Sequence, residues 1–325
     1  MTCYKPKPAQ EEIFQKIDEK TGEIYKSKRF RFLSWAEVDE QTPFKKGITM
    51  IPCGKCEGCR IDKANEWATR CALESQNHTK KCFLTLTYTN ECLPKKRSLK
   101  KADLQKFWKR LRKQTGLKIL YLCCGEYGPR TLRPHYHAIV YGYWPKDAKP
   151  FKKNITEDML YTSEELNKIW GLGYVIVGKV NYETSAYVAR YVVKKAYGIN
   201  DDLHLKAGRE KEFNLSSKRP AIAKWAFENK QKWEEIKRNN GVLIKTKTGT
   251  KLKKIPTYLR EFWKKFEDRE EYYEQMEQAR ARELNETHTR VSQTSDNYWQ
   301  LMKKNVENIK EKLKRLDKRG NTEVK

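Results

Sequence analysis

No stretch of this 325-residue chain approaches the run of about eighteen apolar residues that a membrane span requires. The opening residues, Met1-Thr-Cys-Tyr-Lys-Pro-Lys-Pro8, lack the apolar core of a secretory signal, so a cytosolic protein with no membrane partner is expected. No G-x-x-x-x-G-K-[ST] phosphate loop occurs, which leaves any strand unwinding to another protein. Internal repeats and long low-complexity tracts are also missing. Histidine is scarce, at five residues, and the nine cysteines are odd in number, which suits reduced thiols better than a disulfide framework. Acidic residues fall well short of basic ones: 42 Asp plus Glu stand against 69 Lys plus Arg, a formal net charge of +27. That surplus points to a polyanionic partner. Eighteen tyrosines, nine tryptophans and eleven phenylalanines lie among the charges, so phosphate contacts and base stacking are both available for a single strand. Charge alone leaves open a solvated basic surface or a membrane-surface protein.

The length suits one large domain, or one domain with appendages. Glu19 to Tyr25 reads as a hairpin and Gly47 to Pro52 as an edge strand. The spacing of Ile61, Ala64, Ala68, Cys71 and Ala72 predicts a helix to about Ser75, and Cys82 to Tyr88 follows as a strand. Leu104, Phe107, Trp108 and Leu111 share one face of a second helix that ends near Gly116, and this face is assigned to the core. Strands over Lys118–Glu126 and Pro134–Tyr143 flank a turn at Tyr127-Gly-Pro-Arg130 and should pair antiparallel. A helix near Ser163–Trp170, a strand over Tyr174–Val180 and a helix from about Glu183 to Tyr197 complete the central region. This order predicts an α+β fold, a central antiparallel sheet flanked by helices.

Beyond Lys230 the chain becomes charged and helical, with a hairpin near Thr248-Gly249. Trp299, Met302, Val306, Ile309, Leu313 and Leu316 form a seam on the last helix that must dock on the same chain or on a second copy. The expected division is a strand and hairpin segment over residues 1–52, a central domain over 53–235, and a hairpin with a charged helical extension over 236–325.

His135 and His137 stand two apart on a predicted strand, so their imidazoles project from one face while Tyr136 points the other way. Glu126 ends the neighbouring strand and can complete a two-histidine, one-carboxylate set. The competing reading is a histidine pair hydrogen-bonded at a sheet surface. Tyr187 and Tyr191 are one helical turn apart, with Arg190 and Lys194 each three residues after a tyrosine. A phenol titrates near 10, so a tyrosine nucleophile needs such a cation; packing of an amphipathic helix accounts for the same pattern. Cys53, Cys56 and Cys59 form C-x-x-C-x-x-C, a spacing that suits either structural Zn²⁺ with Cys71 as the nearest fourth ligand, or plain packing thiols.

Taken in order, Phe83-Leu-Thr-Leu-Thr-Tyr88, His135-Tyr-His137 and Tyr187-x-x-x-Tyr191-x-x-Lys194 resemble the three motifs of HUH endonucleases, the superfamily of rolling-circle replication initiators, plasmid relaxases and related transposases. Pro52-Cys-Gly-Lys-Cys-Glu-Gly-Cys-Arg60, Glu126-Tyr-Gly128, the tyrosine pair and Ser216-Ser-Lys-Arg-Pro-Ala-Ile222 narrow the resemblance to replication initiation proteins of gokushoviruses, single-stranded-DNA phages of the microvirus family. The resemblance implies that residues 53–235 form an HUH endonuclease domain, that His135, His137 and Glu126 hold Mg²⁺ or Mn²⁺, and that Tyr187 and Tyr191 are nucleophiles assisted by Lys194. It makes Thr85, Thr87, Tyr88, Arg133, Arg190 and Lys195 candidate DNA contacts. The implied function is nicking and rejoining of single-stranded DNA at a replication origin through a 5′-phosphotyrosine, in the host bacterial cytoplasm, alongside a host helicase and DNA polymerase. A relaxase or transposase of the same superfamily and a non-catalytic single-strand-binding protein are the alternatives.

Overall fold

In Lys81–Tyr88 every second residue is apolar and buried, namely Cys82, Leu84, Leu86 and Tyr88, while Phe83, Thr85 and Thr87 face the other way. This period of two is what a strand with two unlike faces requires, and a seven-stranded sheet is assembled around it. The computed structural model describes residues 3–17, 19, 22, 24–128, 131–154, 157–182, 184–189, 201–246, 249–267 and 269–320. Its strands are β1 (Lys7–Ile17), β2 (Ile24–Phe32), β3 (Ile48–Ile51), β4 (Lys81–Tyr88), β5 (Leu120–Tyr127), β6 (Pro134–Tyr141), β7 (Lys149–Lys153), β8 (Met159–Thr162), β9 (Gly173–Gly178), β10 (Phe213–Ser216), β11 (Val242–Thr246) and β12 (Gly249–Lys253). The chain divides into two units, one of Met1–Asp62 with Tyr273–Asp317, the other of Lys63–Tyr272 with Lys318–Lys325.

The larger unit holds the sheet β10-β5-β6-β4-β9-β8-β7, antiparallel at every neighbouring pair. The α+β class expected from the element order is the one the chain adopts. Helices α2 (Lys101–Thr115) and α3 (Glu164–Trp170) cover one face, burying Leu104, Phe107, Trp108 and Leu111 with Leu166, Ile169 and Trp170 against Leu84, Leu86, Tyr136 and Val175. Helix α2 stops where Gly116 takes the left-handed conformation, at φ 67°, and its N–H bonds back to the Arg112 carbonyl. Arg110 donates to the Ile169 and Trp170 carbonyls at 2.6 and 2.7 Å, satisfying the last turn of α3 with a cation. Gly125 on β5 has no room for a side chain: a Cβ there would stand 3.1 Å from both Leu99 and Phe213.

On the opposite face, Tyr141 donates from its hydroxyl to the Cys71 carbonyl of α1 (Glu57–Gln76) at 2.9 Å. The segment 216–222 is tied to the same helix by Arg70, whose guanidinium donates to the Ile222 carbonyl at 3.0 Å. The outer strand β7 carries Lys149, Pro150, Lys152 and Lys153, all exposed, a composition that discourages further strand pairing at that edge. Neither the β7–β8 hairpin nor β10 was expected from the sequence. The hairpin of β11 and β12 was.

The smaller unit contains the antiparallel sheet β2-β1-β3 and the helices Arg269–Ser292 and Tyr298–Gly320. Its last helix begins by docking on the same unit. Tyr298 and Met302 are buried, Trp299 meets Trp35 edge to face at 5.5 Å, and Phe44 meets Tyr298 at 5.9 Å. The start of the apolar seam is therefore satisfied within the chain. Among the described residues no helix is long and apolar enough to cross a membrane.

Burial sorts the phenylalanines sharply. Phe107→Ala, at a position with no exposure, is expected to cost about 3–5 kcal/mol by chemical denaturation, whereas Phe151→Ala, at a position 56% exposed, stays within about 0.5 kcal/mol. Equal losses at the two positions would contradict the assigned core.

Candidate active site

Strand β6 lies between β5 and β4, and its register decides which side chains meet. Glu126 on β5 pairs with His135, and on β4 Thr85 pairs with His137 while Thr87 pairs with His135. Directly opposed residues share a face, so one side of the sheet gathers a carboxylate, two imidazoles and two threonine hydroxyls. Tyr136 turns to the packed face, as the alternation requires, where its hydroxyl lies 2.7 Å from that of Tyr88 and accepts from the Lys100 N–H at 3.0 Å.

Glu126 Oε1 stands 2.7 Å from His135 Nε2 and 3.0 Å from His137 Nε2, and the two rings meet almost at right angles with centroids 5.0 Å apart. The second nitrogen of each ring is also engaged. His135 Nδ1 lies 3.1 Å from the Arg133 carbonyl, which can only accept, so Nδ1 carries a proton and Nε2 is the nitrogen turned to the site. His137 Nδ1 lies 3.0 Å from Thr85 Oγ1, and Phe83 stacks on the ring at 5.5 Å. Glu126 and His137 are only 4% and 5% exposed. Burial works against ionising Glu126, but the charge and hydrogen bonds of the facing imidazoles outweigh it and hold the carboxyl below its usual range.

One ligating atom from each of Glu126, His135 and His137 falls within 4.8 Å of the others. A carboxylate and two imidazoles converging at that range fit a divalent ion, and the nitrogen donors favour Mn²⁺ over Mg²⁺. Above the histidines the chain forms a helical turn over 184–189, begun by Asn181, whose side chain accepts from the Thr184 N–H at 2.7 Å. Val188 and Ala189 are buried, and the ring of half-buried Tyr187 meets His137 edge to face at 5.4 Å. Arg190, Tyr191, Lys194 and Lys195 lie outside the described residues.

Of the expected DNA contacts, Thr87 faces the site side with its hydroxyl donating to the Tyr174 carbonyl at 3.2 Å. Arg133 spends its guanidinium on Asn90 and on the Tyr88 carbonyl, at 2.9 and 2.7 Å. Tyr88 is a correction. It is 2% exposed and its hydroxyl donates to Asp103 at 2.9 Å, so it belongs to the core and not to a DNA groove; burial, with Tyr136 and Asp103 beside it, pushes its phenol far above the usual value. Tyr174 went unremarked in the sequence although it is 62% exposed and pairs with Thr87, leaving an aromatic face beside the site. Cys71 is a second correction. Cys53, Cys56 and Cys59 do gather, but the fourth sulfur beside them belongs to Cys3. Cys71 lies twelve residues beyond Cys59 on the same helix, about 18 Å along its axis.

Similarity to known proteins covers both the site and most of the chain. Residues 81–196 match the family described as replication-associated protein ORF2. The chain is 31% identical over 288 residues to replication-associated protein ORF2 of Spiroplasma virus 4, covering 83% of this chain and 86% of that protein. It is 34% identical over 257 residues to replication-associated protein VP4 of Bdellovibrio phage phiMH2K, covering 76% and 78% respectively. To replication-associated protein ORF4 of Chlamydia phage 1 it is 32% identical over 187 residues, 55% of this chain and 47% of that one. No solved structure matches.

The reassignment of Tyr88 is directly measurable. Tyr88→Phe removes a buried hydroxyl that bonds two partners and is expected to lower stability by about 1–2 kcal/mol in urea, with affinity for single-stranded DNA changed less than about twofold. A large loss of DNA affinity at unchanged stability would return Tyr88 to the interface.

Proposed function

The chain belongs to the ORF2 family of replication-associated proteins, the gokushovirus type that its motifs resemble, and from that premise we propose that it initiates rolling-circle replication by nicking and rejoining single-stranded DNA in the manner of an HUH endonuclease. The observation that carries this reading is the convergence of Glu126, His135 and His137 with the Tyr187 ring 5.4 Å from His137. The relatives' shared description as replication-associated proteins favours replication over plasmid mobilisation or transposition.

In the proposed reaction the Tyr187 oxygen attacks the scissile phosphorus in line. The bond from phosphorus to the 3′ oxygen breaks, the phosphoryl group remains on the tyrosine as a 5′-phosphotyrosine, and the departing 3′ oxygen ends as a hydroxyl with the proton lost by the phenol. The ester keeps the energy of the broken bond, so rejoining is the reverse attack and needs no ATP. Glu126, His135 and His137 would hold the divalent ion, which when bound supplies Lewis-acid polarisation of the phosphate. Thr85 and the Arg133 carbonyl orient the two imidazoles so that both Nε2 atoms face the carboxylate. Phe83 and Tyr187 enclose His137, limiting access of water to that ring. Tyr174, Thr87 and the basic surplus would serve the strand itself, by stacking, hydrogen bonding and neutralisation.

Tyr191 follows Tyr187 by four residues, the spacing at which two side chains of one helix share a face. The second nucleophile would cut the regenerated origin after one round of synthesis, so that the freed 3′ hydroxyl can attack the first phosphotyrosine and close the displaced circle. Lys194, three residues after Tyr191, would stabilise a phenolate. A host polymerase would extend the 3′ hydroxyl, and a host helicase would open the duplex, since this sequence carries no phosphate loop of its own.

With circular single-stranded DNA and Mn²⁺, wild-type protein is expected to give a covalent protein–DNA adduct that survives denaturant. His137→Ala should abolish the adduct while DNA affinity holds within about threefold, because binding draws on many dispersed cations and the chemistry on one site. Proportional loss of binding and cleavage would count against the site. Each of Tyr187→Phe and Tyr191→Phe should retain some adduct, and the double variant none; adduct persisting in the double variant would place the nucleophile elsewhere. Binding should also weaken with salt, with a log–log slope of about −0.7 per neutralised phosphate, and a flat response would mean that the basic surplus only solubilises.

A further inference from the structure

The smaller unit brings together four cysteines that the proposed chemistry does not use. Strand β1 pairs with β3 antiparallel, Lys7 opposite Ile51 and Pro8 opposite Met50. Continued towards the start of the chain, that register sets Cys3 opposite position 55, between Cys53 and Cys56. Gly54, with φ 75°, turns the chain so that the Cys56 N–H points back at Cys53 Sγ, at 3.4 Å. The Cys59 N–H, in the first turn of α1, points at Cys56 Sγ at 3.5 Å, and the Cys53 N–H at Cys3 Sγ at 3.3 Å. Backbone donors aimed at sulfur favour the thiolate, the form that binds metal.

The sulfurs themselves converge. Cys3 and Cys56 are 3.7 Å apart, Cys53 and Cys59 are 4.0 Å apart, and all four lie within 4.8 Å of one another. Four sulfurs about 2.3 Å from one tetrahedral ion lie about 3.8 Å apart. The spacing therefore matches a single ion and leaves no room for a cluster of several irons and sulfides. It also differs from two disulfides, whose bonded sulfurs would be about 2.05 Å apart. Cys3 is fully buried, Cys56 and Cys59 are 7% exposed, and Lys5 and Lys55 flank the group in sequence, opposite in sign to the net −2 of one divalent ion with four thiolates.

We infer that Cys3, Cys53, Cys56 and Cys59 form a structural zinc site that clasps the segment before β1 to the turn between β3 and α1. The ion closes a loop from residue 3 to residue 53 that contains the whole three-stranded sheet, so the fold of this unit depends on metal. The site is separate from the Glu126, His135 and His137 set and stands whether or not that set is catalytic.

Elemental analysis of the full chain, purified without added metal, is expected to find one zinc per chain. Cys3→Ser and Cys56→Ser should each reduce it to below about a tenth of that, while Cys71→Ala and His137→Ala retain it. If the cysteine variants are insoluble, the wild type decides: with Co²⁺ in place of zinc it should show sulfur-to-cobalt charge transfer and the intense d–d bands of a tetrahedral four-sulfur site, and a mercurial should release the ion on modifying four thiols. Absence of zinc, iron in its place, disulfides by mass, or zinc kept by Cys3→Ser and lost from Cys71→Ala would overturn the assignment.

Discussion

The register of β6 between β5 and β4 is the constraint on which the site depends. It sets His135 across from Glu126 and His137 across from Thr85, and so converts residues far apart in sequence into one cluster on one face. A slip of one residue would turn both histidines into the packed layer and bring the Tyr136 hydroxyl among the ligating groups. The opposite face guards against that slip. Tyr136, Ala138 and Val140 interlock there with Leu84, Leu86 and the side chains of α2 and α3, and the paired hydroxyls of Tyr88 and Tyr136 find partners only in the observed register. Hydrophobic packing on one side thus fixes ligand geometry on the other.

Electrostatics make the arrangement costly without a cation. Glu126 is almost wholly buried, and an ionised carboxylate taken out of water costs several kcal/mol unless something compensates. The facing imidazoles offset that cost, and a divalent ion would do so more fully. The support around the ring nitrogens serves the same end: a threonine hydroxyl and a backbone carbonyl, both held by the sheet, leave the two Nε2 atoms aimed at one carboxylate oxygen. The sulfur cluster repeats the logic in the other unit, where strand pairing and a glycine turn bring four thiols to one point.

How much of this the sequence disclosed follows from the range of each interaction. The histidine pair was legible because a period of two is local, and Glu126 because β5 and β6 are consecutive strands joined by a short turn. Thr85 as the partner of His137 was not, since β4 reaches β6 only by passing over α2 and β5. Tyr88 was misjudged although its parity was readable: it shares the face of Leu84 and Leu86, opposite to Thr85 and Thr87. Cys71 was chosen for nearness in the chain, whereas Cys3 arrives through the pairing of β1 with β3, which no spacing rule reveals. The α+β class and the order of the central elements were readable from periodicity; the edge strand β10 and the β7–β8 hairpin, short and weakly patterned, were not.

The central claim is that Glu126, His135 and His137 form a divalent-metal centre beside a nucleophilic tyrosine. Anomalous diffraction from crystals grown with Mn²⁺ tests it most directly. The expected result is a manganese peak bonded to His135 Nε2, His137 Nε2 and a Glu126 carboxylate oxygen, on the face that carries Tyr187. A saturating Mn²⁺ concentration that leaves both histidines hydrogen-bonded to Glu126, with the metal bound elsewhere or nowhere, would contradict it.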